Sequence, residues 1–255
     1  ETTREYTFES CGETLDMAEL QEIWESKLEP VYPYRKAGPA VEKINGSLTA
    51  PAAPKIGVAK PKVIIPVFPG TNCEYDTAKA FARAGADPEI LVVRNLTPAD
   101  VAESCEALVK AIDASQIVML PGGFSGGDEP DGSAKFIASF FRNPAVTEAV
   151  RRLLQQRDGL MLGICNGFQA LIKLGLAAYG DIRPITACDP TLTFNTIGRH
   201  QSMLVRTRVA STGSPWLSHC DAGSEYEIAI SHGEGRFVAP QELSLIHISE
   251  PTRPY

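Results

Sequence analysis

The sequence is poor in three features that would assign the protein to well-known classes. Its six cysteines form no Cys-x-x-Cys pair, so neither a zinc ribbon nor a dithiol redox motif is indicated. It has no apolar run near the ~20 residues that span a bilayer, and no secretory signal pattern opens it. The formal net charge is -7, which argues against a surface for nucleic acid or anionic membranes. We therefore expect a cytosolic protein whose partners are small molecules or other proteins.

What the sequence does contain is a globular composition and one distinctive pentapeptide. Of the 255 residues, 44% are hydrophobic and 22% are charged, which is enough for one large core or two small ones. The pentapeptide, Gly163 to Gly167, separates the apolar run 159–162 from the helical pattern 168–172. A strand that ends at glycine and turns at once into a helix predicts a nucleophile elbow with Cys165 at its tip.

Cys165 is therefore a candidate catalytic nucleophile. The positive end of a helix favours the thiolate form of a cysteine, and the thiolate is the nucleophilic form. Gly163 and Gly167 would let neighbouring backbone approach and would permit the strained dihedral angles of such a turn. The alternative is that Cys165 is a small core residue, as most free cysteines of intracellular proteins are.

Strands and helices alternate from residue 63 onward, as a mostly parallel α/β sheet requires. The predicted strands are 63–68, 90–93, 116–120 and 160–164, with two further strands at 204–209 and 226–230. The predicted helices are 76–84, 98–112, 134–141, 145–155 and 166–174. Before them, residues 1–37 carry a short strand at 5–8 and an amphipathic helical pattern at 17–24. Residues 38–61 have the composition of a linker, which places the start of the main domain, 62–242, at residue 62.

Three glycine-rich segments follow strands of the predicted sheet: 69–72, 121–127 and the elbow. They should line one site, because ligands of such sheets gather outside the carboxyl ends of the strands. Gly122 and Gly123 would allow a backbone N–H to point at a developing oxyanion, with the N–H of Asn166 as the second donor. The other interpretation of 121–127 is a mobile surface loop.

Five segments resemble the class I, triad-type glutamine amidotransferases, and within that class the glutaminase portion of the large, fused phosphoribosylformylglycinamidine synthases. They are KVIIPVFPGTNCEYDTAKAFARAGA, VMLPGGFSGGDEPDGSAKFIASFF, GLMLGICNGFQALIKLGL, LTFNTIGRHQSMLVRTRV and ISHGEGRF. The resemblance spans residues 61–240 and implies a flavodoxin-like three-layer sandwich with a mostly parallel sheet and a nucleophile elbow. The earlier segment LQEIWESKLEPVYP is similar to the end of the synthetase portion, which implies that residues 1–37 are a piece of that portion.

The resemblance also implies the chemistry. Cys165 would attack the side-chain amide of L-glutamine, form a γ-glutamyl thioester and release ammonia to the synthetase portion of the same polypeptide. Gly123 and Asn166 match the oxyanion donors of the class, and Gln169 matches a residue that helps to hold the glutamine. No cofactor or metal is implied for this domain. ATP and magnesium are expected in the synthetase portion, which amidates formylglycinamide ribonucleotide in purine synthesis.

The proton shuttle of this class is a His-x-Glu pair, and here the sequence departs from the pattern. His232 and Glu234 have the required spacing and would project alike from an extended strand. The class, however, carries this His-Gly-Glu-Gly as a separate, earlier segment, and its catalytic pair lies in a Pro-His-Pro-Glu segment that does not occur here. We therefore expect His232 and Glu234 to shape the wall of the site or a contact with the synthetase portion, with simple turn structure as a third interpretation.

Residues 243–255 stop following the class and resemble a translated sequencing adapter, so we expect a non-native tail. The chain 1–255 would then lack two members of the triad and release little ammonia. Two other functions are compatible with the elbow. One is a DJ-1-like stress protein or other cysteine hydrolase, in which Glu74 or Asp76 assists Cys165. The other is a non-catalytic interaction domain.

Overall fold

In a computed structural model of the chain, the structure describes residues 6–27, 30, 57–124 and 134–239. The strands are β1 (Thr7–Ser10), β2 (Glu13–Asp16), β3 (Lys62–Val67), β4 (Asp87–Val92), β5 (Ile117–Leu120), β6 (Leu160–Gly163), β7 (Thr191–Thr193), β8 (Gln201–Arg208), β9 (Glu225–His232) and β10 (Arg236–Val238). The α-helices are α1 (Met17–Ser26), α2 (Glu74–Arg83), α3 (Pro98–Ala114), α4 (Lys135–Phe141), α5 (Pro144–Arg151), α6 (Asn166–Leu174) and α7 (Leu176–Tyr179). A π-helical turn, Arg152–Gln156, continues α5, and a 3-10 turn spans Pro215–Leu217.

Four strands form the parallel sheet on which the site is built, in the order β4-β3-β5-β6. The sequences of β3 and β5 are continuous apolar runs, and these strands are buried along most of their length, because both faces of the sheet are covered. Helices connect successive strands, so the carboxyl ends of all four strands meet at one edge. The predicted α/β fold with a mostly parallel sheet is confirmed.

Alternate residues of the central strands point to opposite faces of the sheet and divide the core in two. Ile64 and Leu120 belong to the larger cluster, which α3, α4, α5 and α6 cover. Ile65 and Met119 belong to the smaller cluster, against which α2 packs. The fold therefore has three layers, with the sheet in the middle.

In the part of the chain that the structure describes, three antiparallel pairs lie outside the parallel sheet. β8 pairs with β9 along their full length, β7 pairs with β10, and β1 pairs with β2. The β1–β2 hairpin turns at Cys11 and Gly12, which both have positive φ, as a two-residue turn of this kind requires. The sequence predicted β8, β9 and one strand near β1, but it missed β2, β7 and β10. Short strands offer too few residues for a period of two to be recognised.

The outer side of β6 is in contact with an aromatic side chain. The indole Nε1 of Trp216, in the 3-10 turn, donates a hydrogen bond to the carbonyl oxygen of Met161 at 3.2 Å. The same ring packs edge-to-face against Phe81, with 6.4 Å between the ring centroids. A carbonyl on the exposed side of an edge strand is thereby satisfied in the strand that leads to Cys165.

The helix and strand boundaries of the main domain differ from the predicted ones by a few residues, and α6 agrees at both ends. The predicted linker lies mostly outside the described residues and the predicted tail lies wholly outside them, so both stay predictions. Among the residues that the structure describes, every helix is too short or too polar to traverse a lipid bilayer.

Candidate active site

Cys165 lies at the tip of a tight strand–turn–helix connection between β6 and α6. Its φ of 54° and ψ of -110° fall in a region that non-glycine residues rarely occupy, at a cost of about 1–3 kcal/mol. The side chain is exposed and makes no capping hydrogen bond to the helix. The predicted elbow is therefore present, and it presents the thiol at the positive end of α6.

The glycines of the elbow are required because three backbone segments approach too closely for side chains. Gly163 pairs with Leu120 in the β5–β6 ladder. A Cβ on Gly163 would lie 2.6 Å from the carbonyl oxygen of Gly167, and a Cβ on Gly167 would clash with the carbonyl oxygen of Leu120. The first turn of α6 thus lies directly against the ends of β5 and β6.

The glycine-rich loops predicted to line one site do meet, as far as their described parts show. Thr71 and Gly123 form an antiparallel bridge, and the N–H of Asn72 donates to the carbonyl of Gly122 at 2.9 Å. On its other side, Gly122 faces the elbow, since a Cβ there would lie 3.3 Å from the Cβ and 3.9 Å from the Sγ of Cys165. The loops after β3, β5 and β6 therefore form one continuous surface.

Gly123 and Asn166, the predicted oxyanion donors, each directly follow a residue of the elbow contact: Gly123 follows Gly122, which faces the thiol, and Asn166 follows Cys165. Gly123 has a φ of +130° and is the non-hydrogen-bonded member of its bridge with Thr71. In such a pair the residue's own N–H points away from the partner strand. Asn166 is the first residue of α6, so its backbone N–H lies at the positive end of the helix, directly after Cys165.

Gln169, four residues after Cys165, connects α6 with the turn that follows β9. Its Oε1 accepts a hydrogen bond from Nδ2 of Asn166 at 3.0 Å, and its Nε2 donates to the carbonyl oxygen of Glu234 at 3.4 Å. Asn166 is buried and Gln169 is half-buried. The amide of Gln169 is thus held at both of its polar atoms beside the elbow.

His232 and Glu234 do not project from an extended strand. β9 ends at His232 and the chain bends at 233–234, so the strand period no longer relates their side chains. Nδ1 of His232 lies 3.0 Å from Oδ1 of Asn195. Burial is the main cause that lowers the pKa of His232, and the charge of His200 adds to it. The turn 232–235 lies against Gln169 through its backbone.

The sequence did not predict a role for Asn195. Its single local signal is that this amide follows the alternating stretch 191–194.

Of the two carboxylates considered as assistants of Cys165, Asp76 is exposed and pairs with Lys79 at 4.0 Å, and Glu74 is the first residue of α2. Within the described ranges, no three His, Cys, Asp or Glu side chains come together as a ligand set for a metal ion.

Residues 60–251 match the family described as the CobB/CobQ-like glutamine amidotransferase domain. The chain belongs to this family. Membership favours a glutamine amidotransferase over the DJ-1-like stress protein that the elbow alone leaves open.

Two relatives of this glutamine amidotransferase domain share just over a third of the residues in the aligned stretch. The chain is 36% identical over 178 residues to phosphoribosylformylglycinamidine synthase subunit PurQ of Rubrobacter xylanophilus, covering 70% of this chain and 67% of that protein. It is 36% identical over 183 residues to the same subunit of Mycolicibacterium paratuberculosis, covering 71% of this chain and 67% of that protein. The solved structure of PurLQS from Thermotoga maritima includes a chain with a TM-score of 0.52 and 25% identity, covering 72% of this chain and 71% of that chain.

The close approach at Gly167 predicts a large effect of a single methyl group. We expect Gly167→Ala to lower the free energy of unfolding by about 1–3 kcal/mol or more, because the new Cβ clashes with the backbone of Leu120. Urea denaturation followed by circular dichroism measures this. Gly233→Ala is the control, since a Cβ there meets no heavy atom within 4 Å, and we expect a change within about 0.5 kcal/mol. Equal stability of the two variants would contradict the packing described for the elbow.

The lowered pKa of His232 predicts a stability that falls on acidification. Above the usual histidine value of 6.5 the ring is neutral in both the folded and the unfolded chain, so it contributes no pH dependence there. Below that value the unfolded chain takes up the proton first, and the folded state loses stability until the lowered pKa is reached. The effect is measured by urea denaturation at about pH 7.5 and about pH 5.5.

His232→Gln should remove part of that loss, whereas His219→Gln, at an exposed site in the connection to β9, should leave it unchanged. The same pH dependence in His232→Gln and in the unaltered chain would show that another group is responsible.

Proposed function

We propose that this chain is the glutaminase part of a phosphoribosylformylglycinamidine synthase. In that enzyme Cys165 is the nucleophile that splits L-glutamine, and the ammonia passes to a synthetase part, which uses ATP and magnesium to amidate formylglycinamide ribonucleotide. By itself, chain 1–255 is expected to release little ammonia. The observation that carries this proposal is the exposed thiol of Cys165 on a strained elbow, facing the Gly122–Gly123 loop. Membership of the glutamine amidotransferase family and the names of the PurQ relatives support it.

In the first half of the reaction the thiolate of Cys165 attacks the side-chain carbonyl carbon of glutamine. The carbonyl oxygen becomes an oxyanion, which the N–H groups of Gly123 and Asn166 stabilise, because fixed donors on rigid loops need no reorganisation when the charge develops. The nitrogen then takes a proton from solvent water, the C–N bond breaks, and ammonia leaves. The product on the protein is a γ-glutamyl thioester of Cys165.

In the second half water attacks the thioester carbonyl and its protons pass to solvent, the same donors stabilise the second oxyanion, and the C–S bond breaks. Glutamate leaves and Cys165 returns to the thiolate. Gln169 lies beside this position and contacts the bound glutamine. We assign proton transfer to no described residue, because His232 faces the Asn195 amide and Glu234 contacts Gln169 through its backbone. His232 and Glu234 are instead part of the wall of the site.

The synthetase part is the proposed partner, and the solved structure of PurLQS from Thermotoga maritima supports a partner of this kind. A cytosolic location stays a prediction from the sequence.

The proposal is tested by labelling Cys165 with 6-diazo-5-oxo-L-norleucine, an electrophilic mimic of glutamine. We expect one adduct on chain 1–255, located at Cys165 by peptide mass spectrometry. L-Glutamine should slow its formation by about tenfold or more at saturation, and D-glutamine should not. The diazo carbon takes up the proton of the Cys165 thiol, the C–S bond forms and nitrogen gas leaves. The labelling therefore needs the nucleophile and the glutamine pocket but no His-x-Glu pair, so it also separates a glutaminase from a non-catalytic domain.

Cys165→Ser should abolish the adduct. Cys188→Ser is the matched control, because Cys188 is also exposed but lies on the segment between α7 and β7, and it should leave labelling unchanged. Labelling spread over several exposed cysteines, or a rate that L-glutamine does not alter, would overturn the proposed function.

A further inference from the structure

Asn195 is a buried polar side chain that uses all of its hydrogen-bonding atoms. It is 6% exposed. Its Nδ2 donates to the carbonyl oxygens of Arg199 at 2.9 Å and of His232 at 2.8 Å, and its Oδ1 lies 3.0 Å from Nδ1 of His232. Its backbone N–H donates to the carbonyl of Gly233 at 2.9 Å. Asn195 thus binds the segment 232–233 at three points, two through its side-chain amide and one through its backbone, and this fixes the segment because each lost bond leaves a buried group unsatisfied.

The orientation of this amide follows from its partners. Two carbonyl oxygens, which only accept, lie on the Nδ2 side, so Oδ1 is the atom that faces the ring of His232. An amide oxygen only accepts, which assigns the proton of the neutral ring to Nδ1. The lowered pKa of His232 agrees with this neutral ring. The contact therefore holds the turn at 232–233 with one defined tautomer and one defined amide orientation.

The far side of the same turn contacts the candidate active site. The residue after Gly233 is Glu234, whose carbonyl oxygen accepts from Nε2 of Gln169. Gln169 in turn accepts from Asn166, the residue next to Cys165. A continuous series of hydrogen bonds and two peptide units thus joins Asn195 to the first turn of α6.

We propose, on the basis of the proposed function, that Asn195 is a positioning residue for glutamine recognition. It holds the 232–235 turn so that the Glu234 carbonyl fixes the amide of Gln169 in the orientation that receives the substrate. At 3.4 Å the bond from Gln169 to Glu234 is long, so the side chain of Gln169 keeps its orientation only while the turn is held in place. The side-chain hydrogen bonds of Asn195 go to Arg199 and His232, so its proposed action is on selectivity and not on the reactivity of the thiol.

The test compares two electrophiles on the same thiol. In Asn195→Ala and in Asn195→Asp, we expect labelling by 6-diazo-5-oxo-L-norleucine to slow by about tenfold or more, because a misplaced binding group costs this much. Alkylation of Cys165 by iodoacetamide, which needs no glutamine pocket, should stay within about twofold in the same variants. Asn195→Asp keeps the shape of the side chain but places an oxygen against the two carbonyl oxygens to which Nδ2 donates hydrogen bonds in the unaltered chain.

Asn143→Ala is the matched control, since Asn143 caps α5 through a 3.0 Å bond to the N–H of Ala145. Its loss costs about 1 kcal/mol of stability without reaching the site, and it should leave the ratio of the two labelling rates unchanged. An altered ratio in Asn143→Ala, or an unaltered ratio in both Asn195 variants, would show that any effect at Asn195 is general destabilisation and would overturn the proposal.

A double-mutant cycle tests whether Asn195 acts through Gln169. We expect Gln169→Ala to slow labelling by the glutamine mimic, and Asn195→Asp to add little to that loss in the double variant. Additive losses would mean that Asn195 acts by another route, which also overturns the proposal.

A measurement without substrate separates this proposal from the proposed function. In 15N-labelled protein, the side-chain amide resonances of Gln169 should shift towards the values of a solvent-averaged glutamine in both Asn195 variants. If the unaltered chain is not labelled by the glutamine mimic, the proposed function fails, and the resonances alone decide whether Asn195 positions Gln169. Resonances that stay unchanged in both variants would contradict the positioning role in either case.

Discussion

The site depends on one constraint, the contact between the backbone of the first turn of α6 and the ends of β5 and β6. Gly167 lies against the carbonyl of Leu120 and Gly163 lies under Gly167, so no side chain fits at either glycine. Within this space the chain makes its tight turn at Cys165, whose backbone dihedral angles lie in a region that non-glycine residues rarely occupy. The strain of about 1–3 kcal/mol is offset by the apolar side of α6, where Ala170 and Leu174 are fully buried in the larger core cluster. The exposed position of the thiol is therefore a consequence of packing beneath it.

The loops 70–72 and 122–123, on the other side of Cys165, are fixed by contacts with each other and with the elbow. They carry glycine because the backbone of 122–123 passes between the 70–72 loop and the elbow, in contact with both. The hydrogen bonds between these loops are backbone to backbone, so the direction of the Gly123 N–H does not depend on any side chain. Under the proposed function this N–H is an oxyanion donor, and such donors are effective when they are fixed before the charge develops.

The sequence allowed the central sheet and its site edge to be predicted because their signals are local. Continuous apolar runs mark buried strands, and the glycines beside Cys165 mark the elbow, so α6 was placed at both ends. The contacts that complete the site are not local. Gln169 bonds to Glu234, which is 65 residues away in the sequence, and Asn195 bonds to His232, which is 37 residues away. A single amide in a short stretch forms no repeating pattern from which its partner could be predicted. The pairing of β7 with β10 also depends on packing between residues far apart in the sequence, so it could not be predicted from local patterns.

The turn after β9 shows why spacing alone is a weak guide to chemistry. A histidine and a glutamate two residues apart suggest a catalytic pair only while the backbone between them is extended, and here it bends. In this turn the main-chain carbonyl of Glu234 accepts a hydrogen bond from Gln169, and the main-chain carbonyl of His232 accepts one from the amide of Asn195. Under the proposed function, the thiol of Cys165 and the side-chain amide of Gln169 are therefore fixed by different contacts: the parallel sheet beneath the elbow for Cys165, and the turn after β9 for the amide. Because these contacts are separate, the proposal implies that a change at the turn alters the orientation of the Gln169 amide while Cys165 keeps its position.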